Sequence, residues 1–335
     1  MLRRSSWLVL TFLMLAAAVA AAGQTTASAP LPRLPEGDAG IAAKYPGDAG
    51  IESDPAVIFH DDFEDSATPA DLHKKWSAVY HEANMRIAED PANVHHGKRA
   101  VEFAMPLQRE GLSIGLTQYI KNEQDVLFLR FYAKFEKGYD HPRGSSHNGG
   151  MIAAHYNTPE GKATPGFPAD GTNKFLVNFE TERGDSPSPG PLNIYVYHPE
   201  QGGSFGDHIY PTGKVVPSII RTPAPPPLTF GPLFVPRPDF IPELDRWYCY
   251  EFMVQANTPG QRDGRVALWV DGKLIADFPN FRFRDVANLT INTFGIGLYL
   301  RPNNLRENKQ WFDDVVTATS YIGPMAEPKK ARGGK

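Results

Sequence analysis

Three short stretches of the sequence carry side chains able to move protons or hold an anion. Tyr195-Val-Tyr197 sets two phenols on one side of an extended segment, and the stretch containing Arg130, Tyr132 and Lys134 sets two cations and a phenol likewise. Asn178, Glu180 and Glu182 alternate in the third. This inventory suits β-elimination on a uronate polysaccharide. In that reaction the sugar carboxylate is neutralised so that its α-proton becomes acidic, a base removes the proton, and an acid protonates the leaving oxygen. Arg130, Lys134 and Asn178 would neutralise, while Tyr195 and Tyr197 would serve as base and acid, with Tyr132 beside the substrate. A phenol with a pKa of about 10 works as a base only where cations favour its ionised form. The reading therefore requires Arg130 and Lys134 to stand close to Tyr195 and Tyr197.

Other chemistry is open to the same residues. His147, in a Gly- and Ser-rich approach to a strand, and His155, at the end of that strand, are alternative bases. Glu180-Thr-Glu182 offers the paired carboxylates of a glycoside hydrolase, since positions two apart on a strand lie about 6.5 to 7 Å apart along the backbone. Binding without catalysis needs only stacking surfaces, and Trp269, Tyr195 and Tyr197 supply them. No His-x-His or His-x-x-x-His spacing points to zinc.

The elements that must position these residues are strands. Phe, Tyr, Gly and Pro are abundant (20, 13, 30 and 31 of 335 residues), which favours short strands joined by sharp turns. Alternating segments occur at 57–59, 100–104, 126–135, 150–156, 174–181, 193–197, 247–255, 265–270, 292–300 and 311–319. Asp271-Gly272 reads as a two-residue hairpin turn. Helical periodicity long enough to connect parallel strands is absent, so an all-β, antiparallel two-sheet sandwich is expected. Residues 199–244 are Pro-rich, which forbids central strands; the insertion is either a wall of a binding site or a surface decoration.

Four stretches resemble the concanavalin A-like lectin and glucanase superfamily. They are His60-Asp-Asp-Phe-Glu64, the segment from Trp247 to Gly260, the hairpin from Gly264 to Gly272, and Trp311-Phe-Asp-Asp-Val315. Within that superfamily the chain is most similar to the jelly-roll polysaccharide lyases that act on alginate or glucuronan. The resemblance implies a jelly roll over 56–323, with a Tyr-x-Tyr pair and basic residues on a concave sheet. It also implies a structural calcium near Asp61, Asp62 and Asp314, where the two ends of the domain meet, and no cofactor for the reaction. The sandwich glucanases of the superfamily place an Asp between two Glu, a pattern from which Asn178-Phe-Glu-Thr-Glu182 departs.

Outside the domain, residues 1–23 have the three-part layout of a secretory signal, with Arg3 and Arg4 before an apolar run ending in small residues. A secreted or periplasmic protein is expected, with no stable membrane insertion once the signal is removed. Residues 24–55 read as a Pro-, Gly- and Ala-rich linker or arm, and 324–335 as a basic, disordered tail. The single cysteine, Cys249, excludes an internal disulfide. Net charge is −4 and falls to −6 without the signal's two arginines. Such a body repels nucleic acid, so the expected partner is a polysaccharide met by a local basic cluster.

Overall fold

Alternation of side chains along each strand sorts most of the chain into two layers. In 126–135, Leu127, Leu129, Phe131, Ala133 and Phe135 enter the main core, and Arg130, Tyr132 and Lys134 take the other side. Residues 175–179 and 192–196 do the same with Phe175, Val177 and Phe179, and with Leu192, Ile194 and Val196. The computed structural model describes residues 31–144, 146–157, 163–217, 228–231, 233–304 and 306–327. Two units divide at Leu34 and Pro35. The described part of the first has no regular structure, and the strands and turns all belong to the second.

Among the described residues, seventeen strands form two sheets in which every pairing is antiparallel. The first sheet runs in the order β15 (Lys273–Phe281), β14 (Gly264–Val270), β13 (Tyr248–Gln255), β6 (Val126–Phe135), β17 (Asn308–Ala318), β4 (Ala100–Met105) and β3 (Met85–Ala88), and β1 (Val57–Asp61) also pairs with β17. The second runs β12 (Leu228–Thr229), β11 (Lys214–Pro217), β10 (Asp207–Ile209), β9 (Leu192–Tyr197), β8 (Phe175–Thr181), β7 (Gly150–Ala154), β16 (Ile291–Leu300), β5 (Leu112–Gln124) and β2 (Ala78–Tyr80). The inner faces meet in one large apolar core. At Gly150 the approach is so close that a Cβ would stand 2.6 Å from the Phe131 ring and 2.8 Å from that of Phe252. The expected all-β jelly-roll sandwich is what the chain forms.

The outer face of the first sheet is not left to water. Four short 3-10 turns, Gly37–Ala39, Ile41–Lys44, Pro46–Asp48 and Ile51–Ser53, lie over it beside residues 320–326. Gly37 N donates to Gly272 O at 2.8 Å, Ala42 N to Ile322 O at 2.9 Å, and Gly47 N to Ala326 O at 2.8 Å. Glu251 on β13 accepts from Ile322 N at 2.7 Å and Gly323 N at 2.8 Å. Residues 35–55, expected as a linker, thus belong to the folded body, as does the start of the expected tail, where Met325 N donates to Tyr132 Oη at 2.8 Å. The reason is the outer face itself: Arg130, Tyr132, Glu251 and Trp269 need partners when buried.

The Pro-rich insertion contributes β10, β11 and β12 to the second sheet, and Phe230 and Phe234 pack on Phe278, with ring centroids 5.3 and 5.2 Å away. Pro223 to Pro227 and Pro232 lie outside the described residues, as do the signal segment and the basic residues from Lys329 onward.

Candidate functional site

The outer face of the second sheet gathers a polar cluster. Pairing sets Asn178 opposite Tyr195 and Glu180 opposite Asn193, and carries the row on to His208, which stands opposite Tyr195 on β10. His147 precedes β7 and bridges to Tyr299 of β16. Because Phe179 and Ile194 point into the core, the neighbours Asn178, Glu180, Asn193 and Tyr195 must share the outer side.

Glu180 is the hub. Its Oε2 lies 2.8 Å from His147 Nδ1, and its Oε1 lies 3.8 Å from His208 Nδ1. The His147 ring is sandwiched between Tyr195 and Tyr299, at 4.7 and 5.4 Å between centroids. Burial opposes charge on His147, but Glu180 outweighs it and raises the imidazole above its usual range. Burial raises Glu180 in turn, against the pull of His147. His208 is the opposite case: burial, reinforced by His147, drops it to about 3, so it is neutral. Its Nδ1 accepts from the Asn193 amide nitrogen at 3.0 Å, and the Asn193 oxygen accepts from Glu182 N at 3.2 Å. Burial and the adjacent Glu180 raise Glu182 to about 7.

Tyr195 Oη accepts from Gly206 N at 3.0 Å, and burial, then its neighbour Tyr197, push its ionisation far above the ordinary phenol range. Tyr195 is therefore a neutral phenol. Tyr197 Oη accepts from Gly166 N at 3.1 Å, and its ring covers Lys174 Nζ at 4.1 Å. Around it Ala153, Ala169, Leu176 and Tyr195 form a small second core, with Met151 and Tyr156 against it. Tyr197, 1% exposed, is thus a packing residue rather than a free acid. Asn178 Oδ1, Glu180 Oε1 and Glu182 Oε2 are buried acceptors with no donor among the described residues. Such atoms call for a donor such as a hydroxyl.

The cations expected beside the phenols stand elsewhere. Arg130 and Lys134 are on β6, whose outer face is the far side of the other sheet, so the apolar core separates them from Tyr195 and Tyr197. Arg130 is wholly buried and paired with Asp48. Lys134 Nζ donates to Ala92 O at 2.5 Å and lies 5.0 Å over the Trp311 ring. Tyr132 stacks on His95 at 3.6 Å on that same face. Trp269 is also there, fully buried, its Nε1 donating to Pro35 O at 2.9 Å, and presents no stacking surface. His155 sits past the far end of β7 with Glu123 at 3.2 Å. The structure brings together Tyr195, Asn178, Glu180, Glu182 and His147 from the expected set, and adds His208, Asn193 and Tyr299. Arg143 and Arg301, both exposed, flank the cluster in sequence, Arg143 paired with Asp185 and Arg301 Nη1 donating to Arg143 O at 3.4 Å, while the cation placed against the phenols is Lys174, over the Tyr197 ring.

Two of the three carboxylates expected to hold calcium already have partners within the fold. Asp61 is spent on Trp76 Nε1 at 2.7 Å, Lys75 Nζ at 3.1 Å and Phe63 N at 3.2 Å, and Asp314 on His95 Nδ1 at 2.6 Å. Asp62 and Asp314 line a cavity of about 520 Å³ beside Asp48 and Glu64. Among the described residues no three such side chains form a metal-holding group. Nor is any helix among them long and apolar enough to cross a membrane.

No family model and no curated protein matches the sequence. Solved structures do match. Alginate lyase Aly36B is 14% identical with a TM-score of 0.54, covering 79% of this chain and 98% of that one. An alginate lyase of the marine Aplysia kurodai is 14% identical with a TM-score of 0.53, covering 78% and 99%. The Chlorella virus alginate lyase vAL-1 is 16% identical with a TM-score of 0.51, covering 78% and 99%. At such identities the likeness is one of fold, and the chain carries the two-sheet jelly-roll fold of these alginate lyases.

Proposed function

We propose that the protein is a secreted polysaccharide lyase that cleaves a uronate-containing glycan by β-elimination on the outer face of the second sheet. One observation carries the reading: the Glu180–His147 pair lies against a phenol held neutral, Tyr195, so that a base and an acid of different protonation meet at one place. Glu180 fixes the His147 ring through Nδ1, leaving Nε2 to take the α-proton. Tyr195 delivers a proton to the leaving oxygen. Arg143 and Arg301 meet the uronate carboxylate, and the donor-less oxygens of Asn178, Glu180 and Glu182 receive sugar hydroxyls. The roles first assigned to Arg130, Lys134 and an ionised phenol thereby pass to other residues. The fold shared with the alginate lyases supports the substrate class, and Aly36B has been solved as a mutant bound to an alginate trisaccharide.

Incubation with alginate, glucuronan, polygalacturonate and neutral glucans tests the proposal. Ultraviolet absorbance of an unsaturated uronate is expected from at least one of the acidic polymers. New reducing ends without that absorbance would instead assign the chemistry to Glu180 and Glu182 as a hydrolase pair, and retention without products would leave a binding module.

A further inference from the structure

Beyond the polar cluster, the same outer face ends at a pair of exposed aromatic rings that the proton chemistry does not use. Edge strand β2 pairs with β5, Ala78 opposite Thr117 and Tyr80 opposite Gly115. Ile114, Leu116 and Ile120 point into the core and Val79 packs against it, so Gly115, Thr117, Tyr119 and Tyr80 take the outer side. Tyr80 is 43% exposed and Tyr119 49%. Partial burial, with the Tyr119 hydroxyl, raises Tyr80 to about 12. The short edge strand is pinned for this: His81 Nδ1 meets Ser113 O at 2.5 Å, and Tyr119 N donates to Ser77 Oγ at 3.2 Å.

Between these rings and His147, beyond Tyr299, the middle strand of the face carries two glycines. Gly297 stands opposite Gly115, and Gly295 opposite Thr117. A Cβ on Gly297 would meet nothing nearer than Ile114 O at 3.4 Å, so the fold does not itself require glycine there. From the β7 side of the sheet to β2 is three strand spacings, roughly 14 Å. That is a stretch for a few linked pyranose rings. Aromatic faces suit the apolar C–H face of a sugar, and tyrosine adds a hydroxyl to its rim.

We propose that Tyr80 and Tyr119 form a distal sugar-stacking subsite that grips the polysaccharide several residues from the reacting bond. The inference rests on the elimination reading and extends it: the preferred substrate is a long uronate chain, not a short oligomer.

The test compares wild type with Tyr80→Ala/Tyr119→Ala and with Tyr80→Phe/Tyr119→Phe, all checked for an unchanged melting temperature. Alginate, glucuronan or polygalacturonate is cast into native gels to measure retardation, and kinetics are run on the polymer and on its trimer. The alanine pair should weaken retardation and raise the polymer KM by about tenfold, with kcat and trimer kinetics unchanged, while the phenylalanine pair behaves as wild type. Equal retardation of wild type and the alanine pair, a parallel loss on trimer, or no retardation of wild type in any gel overturns the subsite. Tyrosine-dependent retardation without unsaturated product supports the subsite and refutes the elimination reading. Product formation with KM unmoved refutes the subsite and leaves that reading standing.

Discussion

His147, Glu180 and Tyr195 divide the work of a proton shuttle by environment. Glu180 holds the His147 ring and favours its charged form, so the imidazole must lose a proton before it can act as base, and turnover should rise with pH through its pKa. Replacing Glu180 by Gln removes the negative partner; the acid limb of the kcat/KM profile should then move to lower pH while the maximum rate falls. His147→Ala should lower kcat by about a hundredfold to ten-thousandfold, and Tyr195→Phe should do likewise without moving the acid limb. An unshifted limb in Glu180→Gln would remove His147 from the base role. Glu180 and Tyr195 are legible in the sequence because strand alternation names the residues that leave the core together, and His147 only as a histidine in the Gly- and Ser-rich approach to a strand. Alternation does not tell which of two sheets a strand joins, and Arg130 and Lys134 were misassigned for that reason. His208 escaped because it lies in the Pro-rich insertion, where only three residues form the strand that presents it.

At the scale of elements, the turns of residues 37–53 show what pattern reading misses. They have neither strand alternation nor helical period, and their order comes from contacts with residues more than 200 positions away, such as Ile41 N to Tyr321 O at 3.1 Å. Gly40 is the tightest point of this packing: a Cβ there would fall 2.1 Å from Ile322 O, backbone that cannot swing aside. Gly40→Ala should therefore destabilise the protein by about 1–3 kcal/mol, read as a lowered midpoint in urea. The cost should be smaller in a variant truncated before residue 320, which lacks the opposing carbonyl. The strands themselves were readable with their facing residues, because each buries one apolar row and the turns between them carry Gly, Pro or Asp.

The whole molecule carries an electrostatic dependence set by these covers. Glu251, fully buried under residues 320–323, is raised to about 7, chiefly by burial, against about 4.3 in an unfolded chain. A carboxyl that holds its proton more tightly when folded stabilises fully below the unfolded pKa and loses that contribution as pH rises through the folded one. Glu182 acts in the same direction. The melting temperature should fall between about pH 4.5 and 7.5, and Glu251→Gln should flatten that slope by an amount on the order of 3 kcal/mol in stability. A slope unchanged in the variant would show that other groups set it. Residues 37–53 and 320–326 also run side by side over the sheet that turns away from the candidate site. A fluorescent protein or an agarose bead attached beyond Ala326 would consequently hang from the molecule's back, and an immobilised preparation should digest polymer as well as one free in solution.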